Sequence, residues 1–326
     1  MNNKKKDSED MHDLLIFKET EAPKESEIEK LPEETVLDDI KVKIFSDLKP
    51  IGRFYRYTLI FINNSQETIQ NIKVTINFSK FLIIYRHSPP TLPLTNFKTD
   101  EGKQVIVFLN EINPKNSKKL SIFFSTKDVI DSGKVKVKLD IMKSLDILKE
   151  LELNPVNIDF HPIAFEPKII PTSQIGYFIK DPTNRKAIRS MGIDFSNKEN
   201  FEKVFPLMQE MIKAQNFQLL SVDENRKISW YFGTELVSGA DVLMIGRIIE
   251  NKIEYFAISK NPDILVSLIA YISKSFINRL ILNQMIKSED EVIDLECKYC
   301  GYVLPYFPNK NDPIKCSKCG IEQVIW

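Results

Sequence analysis

The chain is short of the residues that mark the working parts of most enzymes. Its 326 residues include only ten glycines. None of them falls into a G-x-G-x-x-G or G-x-x-x-x-G-K run, so phosphate-cradling loops are missing and nucleotide chemistry is disfavoured. The three histidines, His12, His87 and His161, lie far apart in different contexts. No Ser-His-Asp or Cys-His arrangement can be nominated, and catalysis is not expected. Net charge is also missing, because 45 basic residues face 45 acidic ones. No global field draws in nucleic acid or an anionic membrane, and partners are expected to be proteins. The longest apolar stretch, 264–286, is broken by Lys274 and Arg279 short of the about 20 apolar residues of a membrane span. It reads as a buried helix. Met1-Asn-Asn-Lys-Lys-Lys does not resemble an apolar signal segment, and a cytoplasmic location is expected.

Cysteine is scarce but concentrated. All four cysteines fall in the last thirty residues, as Cys297-Lys-Tyr-Cys300-Gly and Cys316-Ser-Lys-Cys319-Gly, separated by fifteen residues. Each C-x-x-C turn aims two sulfurs at one point, and the following glycine lets backbone approach a metal, so the pattern is that of a zinc ribbon. A closed four-cysteine site has no open position for substrate water, so one zinc ion would hold structure and do no chemistry. Two disulfides are the competing reading and need an oxidising compartment.

At this length the chain has room for roughly two ordinary domains and a small one. Residues 1–35 carry eleven acidic and six basic residues with few large apolar groups, a composition that does not offset ordering entropy. A mobile acidic tail is expected there. Its apolar island, Leu14-Leu15-Ile16-Phe17 after Asp10 and Asp13, reads either as an acidic dileucine motif or as an incidental run. From residue 40 the period becomes two, at Ile40, Val42 and Ile44, then 54–63, then Ile72, Val74, Ile76 and Phe78. Asn63-Asn64-Ser65-Gln66 supplies turn chemistry, and strand signals recur at 105–109, 120–125 and 135–141. Residues 36–165 therefore read as an immunoglobulin-like β-sandwich.

Prolines in 166–171 mark a boundary. Beyond it, Ser196 and Glu199 form a capping box before the stripe Phe201, Val204, Phe205, Met208, Met211 and Ile212, a helix with Pro206 inside it. Strands are expected at 217–222, 228–236, 242–249 and 253–259, and Asn261-Pro262-Asp263 caps the final helix. Residues 172–286 form this lobe, 287–294 an acidic mobile connector, and 295–326 the ribbon.

A sandwich followed by a helix, a four-stranded antiparallel sheet and a helix, with the run 237–250 leading into 253–259, resembles the appendage, or ear, of clathrin-adaptor large subunits and of coatomer gamma. The resemblance implies a multi-domain α+β chain whose platform is also similar in architecture to half of the TATA-binding-protein fold. It implies a groove beside the sheet that takes short linear peptide motifs. Tyr231 stands where that family often has a groove tyrosine, Ile193 (or Gly192) near its tryptophan, Ile245 near its acidic residue, and Arg247 at a basic strand position suited to an acidic peptide. Trp230 and Phe232 share one strand face and Tyr231 points to the other, so the three do not line one groove. The function implied is vesicle-coat recruitment through weak peptide contacts, with coat-like subunits as partners and membranes reached only indirectly. The alternative is a transcription- or RNA-associated factor that uses ribbon and platform on nucleic acid, against which the neutral charge argues.

Overall fold

The computed structural model describes residues 33–37, 41–99, 102–126, 131–142, 148–160, 163–194, 198–249 and 251–326. Among them strands account for 52% and helices for 17%, so the chain is predominantly β. The first lobe contains β1 (Glu33–Leu37), β2 (Val42–Ile51), β3 (Phe54–Asn63), β4 (Ile69–Phe78), β5 (Leu82–Ser88) and β6 (Leu94–Lys98). It continues with β7 (Lys103–Ile112), β8 (Ser117–Thr126), β9 (Asp131–Met142), β10 (Leu148–Glu152) and β11 (Val156–Phe160). One sheet runs β1-β2-β3-β8-β5 and the other β10-β9-β4-β7-β6, with β11 also on β9. Alternate residues point inward: Tyr57, Leu59 and Phe61 of β3 meet Ile72, Val74 and Ile76 of β4 in one core. The predicted turn after β3 is held by Asn63, whose Nδ2 donates to the Glu67 and Ile112 carbonyls at 2.8 and 2.9 Å while its Oδ1 accepts from Ser65 N at 2.9 Å. Residues 33–35, read as the end of the tail, open β1. The apolar island at 14–17 and Ser196 of the capping box lie outside the described residues.

The second lobe corrects the α+β reading. It contains β12 (Phe165–Pro167), α1 (Thr172–Lys180), β13 (Arg185–Ile193), α2 (Lys198–Lys213), β14 (Gln218–Asp223), β15 (Ile228–Glu235), β16 (Asp241–Ile249), β17 (Lys252–Ser259), α3 (Pro262–Leu282) and β18 (Val292–Asp294). Instead of four strands under two helices, seven strands form one sheet, ordered β12-β15-β16-β17-β13-β18 with β14 also on β15. Helices cover both of its faces. On one, Tyr231 and Met244 pack beneath Phe205 and Met208 of α2 and Leu268 and Ile272 of α3. On the other, Trp230, Phe232, Leu243 and Ile245 pack against Ile175 and Ile179 of α1. The helix-sheet-helix platform of an appendage is therefore not the fold of this lobe. Burial on both sides explains the unbroken apolar runs 242–245 in β16 and 255–258 in β17.

The apolar helix α3 is long enough and apolar enough by composition to cross a membrane, yet most of it is buried inside the protein. Asn261 accepts from Asp263 N at 3.1 Å and Pro262 stands at the first turn, as its sequence predicts. The helix also reaches the other lobe: Val266 is buried in the sandwich core, and the Tyr55 hydroxyl lies 3.1 Å from Asp263 Oδ1.

Candidate metal centre and the junction around it

Two equivalent turns build the ribbon. Gly301 N donates to the Cys297 carbonyl at 2.8 Å and Gly320 N to the Cys316 carbonyl at 3.0 Å. Both glycines have φ +73°, a left-handed conformation that disfavours other residues and closes each turn. Cys297 N then bonds the Tyr302 carbonyl and Cys316 N the Ile321 carbonyl, at 2.8 and 3.0 Å. The short pair β19 (Ile314–Lys315) and β20 (Glu322–Gln323) completes the module.

The four Sγ atoms converge. Cys297 and Cys319 are 3.6 Å apart, as are Cys300 and Cys316, and all four lie within 4.8 Å of one another. None is disulfide-bonded. A tetrahedral ion with bonds of about 2.3 Å to sulfur has sulfurs about 3.8 Å apart, so the set fits a metal such as zinc. Burial opposes a thiolate at Cys297, but the backbone N–H groups of Cys300 and Tyr299 outweigh it and hold the thiol at about 6. Burial pushes Cys300 up to about 12 without a cation. Cys300, Cys316, Cys297 and Cys319 would all ligate, leaving no position open to substrate.

The ribbon is not on a mobile connector. Residues 292–294 pair with β13, Ile293 opposite Gly192, and Leu295 N bonds the Ser190 carbonyl at 2.9 Å. Asp294 of the connector and Glu296 at the start of the ribbon meet cations that the sequence reading did not anticipate. Arg53, on the hairpin between β2 and β3, bonds Glu296 through Nε at 2.6 Å and pairs with Asp294 at 3.3 Å. Its guanidinium lies over the rings of Phe54 and Tyr85 at 4.3 and 4.6 Å. Arg189 of β13 takes the other Asp294 oxygen at 3.1 Å. Burial opposes both charges, but Arg189 and Arg53 hold the Asp294 carboxyl below its usual range, and Glu296 and Asp294 hold Arg53 charged. Lys252 of β17 pairs with Glu254 at 2.9 Å and reaches the Leu304 and Pro305 carbonyls at 3.4 Å. Sandwich, second lobe and ribbon thus meet at buried and half-buried charges. The signal was present in the sequence: Asp294 and Glu296 stand two residues apart, directly before the first cysteine.

The residues proposed for a peptide groove do not converge. Tyr231 and Ile193 are buried on the face covered by α2 and α3, whereas Ile245 and Arg247 lie on the opposite face. Burial pushes the Tyr231 hydroxyl up to about 12. Arg247 is stacked over Phe256 at 4.5 Å and neutralised by Glu254 at 2.5 Å, so it is not available to an acidic peptide. An open groove of about 580 Å³ lies elsewhere, between the lobes. Tyr85, Arg86 and His87 of β5 form one wall, Val292, Ile293 and Asp294 of β18 the other, and Lys298, Tyr299 and Ile325 of the ribbon the end.

No protein-family profile matches the chain, and no curated protein matches it in sequence. Among solved structures, it is similar to a cohesin module of a family 33 glycoside hydrolase from Clostridium perfringens at 13% identity and TM-score 0.29, over 40% of this chain and 97% of that one. The pilin subunit BcpA of Bacillus cereus is similar at 11% identity and TM-score 0.31, over 68% and 70%. The mu-homology domain of yeast delta-COP is similar at 8% identity and TM-score 0.21 over 30% of this chain, which spans only 39% of that structure. At these scores the likenesses bear on neither function nor overall architecture, and no family profile places the chain among coat appendages.

Proposed function

We propose that the chain is a non-catalytic protein-interaction module that captures an extended segment of a partner protein in the groove between its lobes. One observation carries this reading: the groove runs between two terminal strands, β5 at the end of a sandwich sheet and β18 at the end of the second-lobe sheet. A terminal strand offers unpaired backbone groups to an added strand, while side-chain pockets supply selectivity. Tyr299 and Ile325 give apolar anchors and Lys298 a basic one at the exposed end. The ribbon, held by one structural zinc ion, fixes the width of the groove. Unpaired thiols suit a reducing, cytoplasmic setting. Membrane contact would run through partners. The coat-recruitment reading depended on a platform groove and is not carried further.

The test is peptide-display selection against the full chain, repeated with Tyr299→Ala and Lys298→Glu. A convergent motif whose binding drops in both variants supports the reading. Enrichment indifferent to both, or salt-dependent nucleic-acid binding without enrichment, overturns it.

A further inference from the structure

We propose that Arg86, a residue of the sandwich, belongs to the metal centre, where its guanidinium compensates the charge of the four thiolates and ties metal binding to the docking of the ribbon. A divalent ion with four cysteine thiolates carries a formal charge of about −2. The ribbon's neighbouring lysines are directed away from the sulfurs, Lys298 Nζ onto the Val324 carbonyl at 2.9 Å and Lys318 over Tyr302 at 5.4 Å. Arg86 comes from outside and lies flat on the first knuckle. A Cβ added to Gly301 would stand 2.6 Å from Arg86 Nε and 2.7 Å from its Cζ and Nη2. Glycine is needed there both for its left-handed φ and for this approach. From behind, the Phe123 ring supports the guanidinium, with Cζ 3.4 Å from the ring centroid.

Nε of Arg86 is buried and has no hydrogen-bond partner among the described residues. An unpaired buried guanidinium N–H is costly, and the groups that favour its charge are first Glu296 and then Cys300. Glu296 already shares its charge with Arg53, which holds its Oε1 at 2.6 Å, so the thiolate cluster is the second counter-charge of Arg86. Groups behind the ligands tune metal affinity even though they never touch the ion. Here such a group sits on a different lobe, so the ion binds most tightly when the ribbon is docked, and docking is reciprocally tighter when the ion is bound. The inference requires no partner peptide and stands apart from the function proposed above.

The test uses the full chain and zinc itself. Competition with a chromophoric chelator gives Kd for the wild type, Arg86→Ala, Arg86→Lys and, as a control for general destabilisation, Ile76→Val in the sandwich core. Arg86→Ala is expected to weaken zinc binding about 10- to 100-fold, with Arg86→Lys recovering part of the loss and Ile76→Val having no effect. In the wild type, zinc removal should raise amide exchange in β5 as well as in the ribbon. An unchanged Kd in Arg86→Ala, an equal loss in Ile76→Val, or β5 exchange indifferent to zinc would each overturn the proposal.

Discussion

Gly192→Ala is the sharpest probe of how the ribbon is seated. Gly192 lies in β13 opposite Ile293, and its missing side chain makes room for the Phe307 ring. A Cβ there would stand 2.3 Å from Cδ2, 2.4 Å from Cγ and 2.6 Å from Cε2. Ordinary carbon contacts are about 3.5–4.0 Å, so the ring must retreat by more than about 1 Å. Phe307 is stacked on Trp326 at 5.0 Å and 21°, and retreat disturbs that pair, worth about 0.5–1.5 kcal/mol. Overpacking costs about 1–3 kcal/mol. The recess of about 400 Å³ beside Phe307 gives the ring somewhere to go, which favours the lower half of that range, about 1–2 kcal/mol. This corresponds to about 5- to 30-fold more frequent opening of the ribbon, readable as faster amide exchange at Leu295, Cys297 and Leu304. In a Phe307→Ala background the added methyl meets no ring, and the penalty should fall to a few tenths of a kcal/mol. A penalty of full size in that background would refute the argument, because the clash would then lie elsewhere.

Other expectations concern the charges and the metal. Metal analysis should find one zinc ion per chain, lost in Cys297→Ser; a chain purified with no bound metal under zinc-replete, reducing conditions would contradict the site. Arg53→Ala leaves buried Glu296 without its cation and half-buried Asp294 with Arg189 alone, and the lost stability, by denaturant midpoint, should be about 3 kcal/mol, the low end for a broken buried pair; less than about 1 kcal/mol would show that water reaches the junction. Glu235 accepts from Val237 N at 3.0 Å and from Ser238 N and Oγ at 2.6 and 2.7 Å. Burial opposes its charge, but Ser238 and Val237 outweigh that and hold its pKa below the ordinary value. Its contribution is therefore present above about pH 4.3 and lost as pH falls through the depressed folded value. The Val237 and Ser238 amide shifts should titrate with a midpoint below that pH, and a midpoint at or above it would contradict the cap.

The elements most legible in the sequence were those whose burial is local and periodic. The alternation at 54–63 coincides with β3, and the 201–212 stripe lies within α2. β13 was illegible because Arg189 and Ser190 interrupt its apolar pattern; they are satisfied by Asp294 and Glu254, partners remote in sequence. α1 was missed because it buries little more than Ile175 and Ile179, too short a stripe to register as periodic. That omission contributed to the error in fold class, since α1 covers the second face of the sheet. The unbroken apolar run 242–245 held the hint that this sheet is covered on both sides. The cysteine spacing needed no tertiary information, whereas Arg53, Arg86 and Arg189 join the metal's surroundings only through long-range folding.

Val266 sits in the core of a lobe whose own strands end a hundred residues earlier in the chain. During synthesis the sandwich strands leave the ribosome well before α3 does, and until then the slot of Val266 stands open to water. A nascent or truncated sandwich is consequently an unfinished object with an apolar gap, and chaperone dependence should persist until the final helix has emerged. Nonsense mutations between the lobes would therefore deprive the first lobe of a part of itself, and proteolytic clearance would remove it together with the rest.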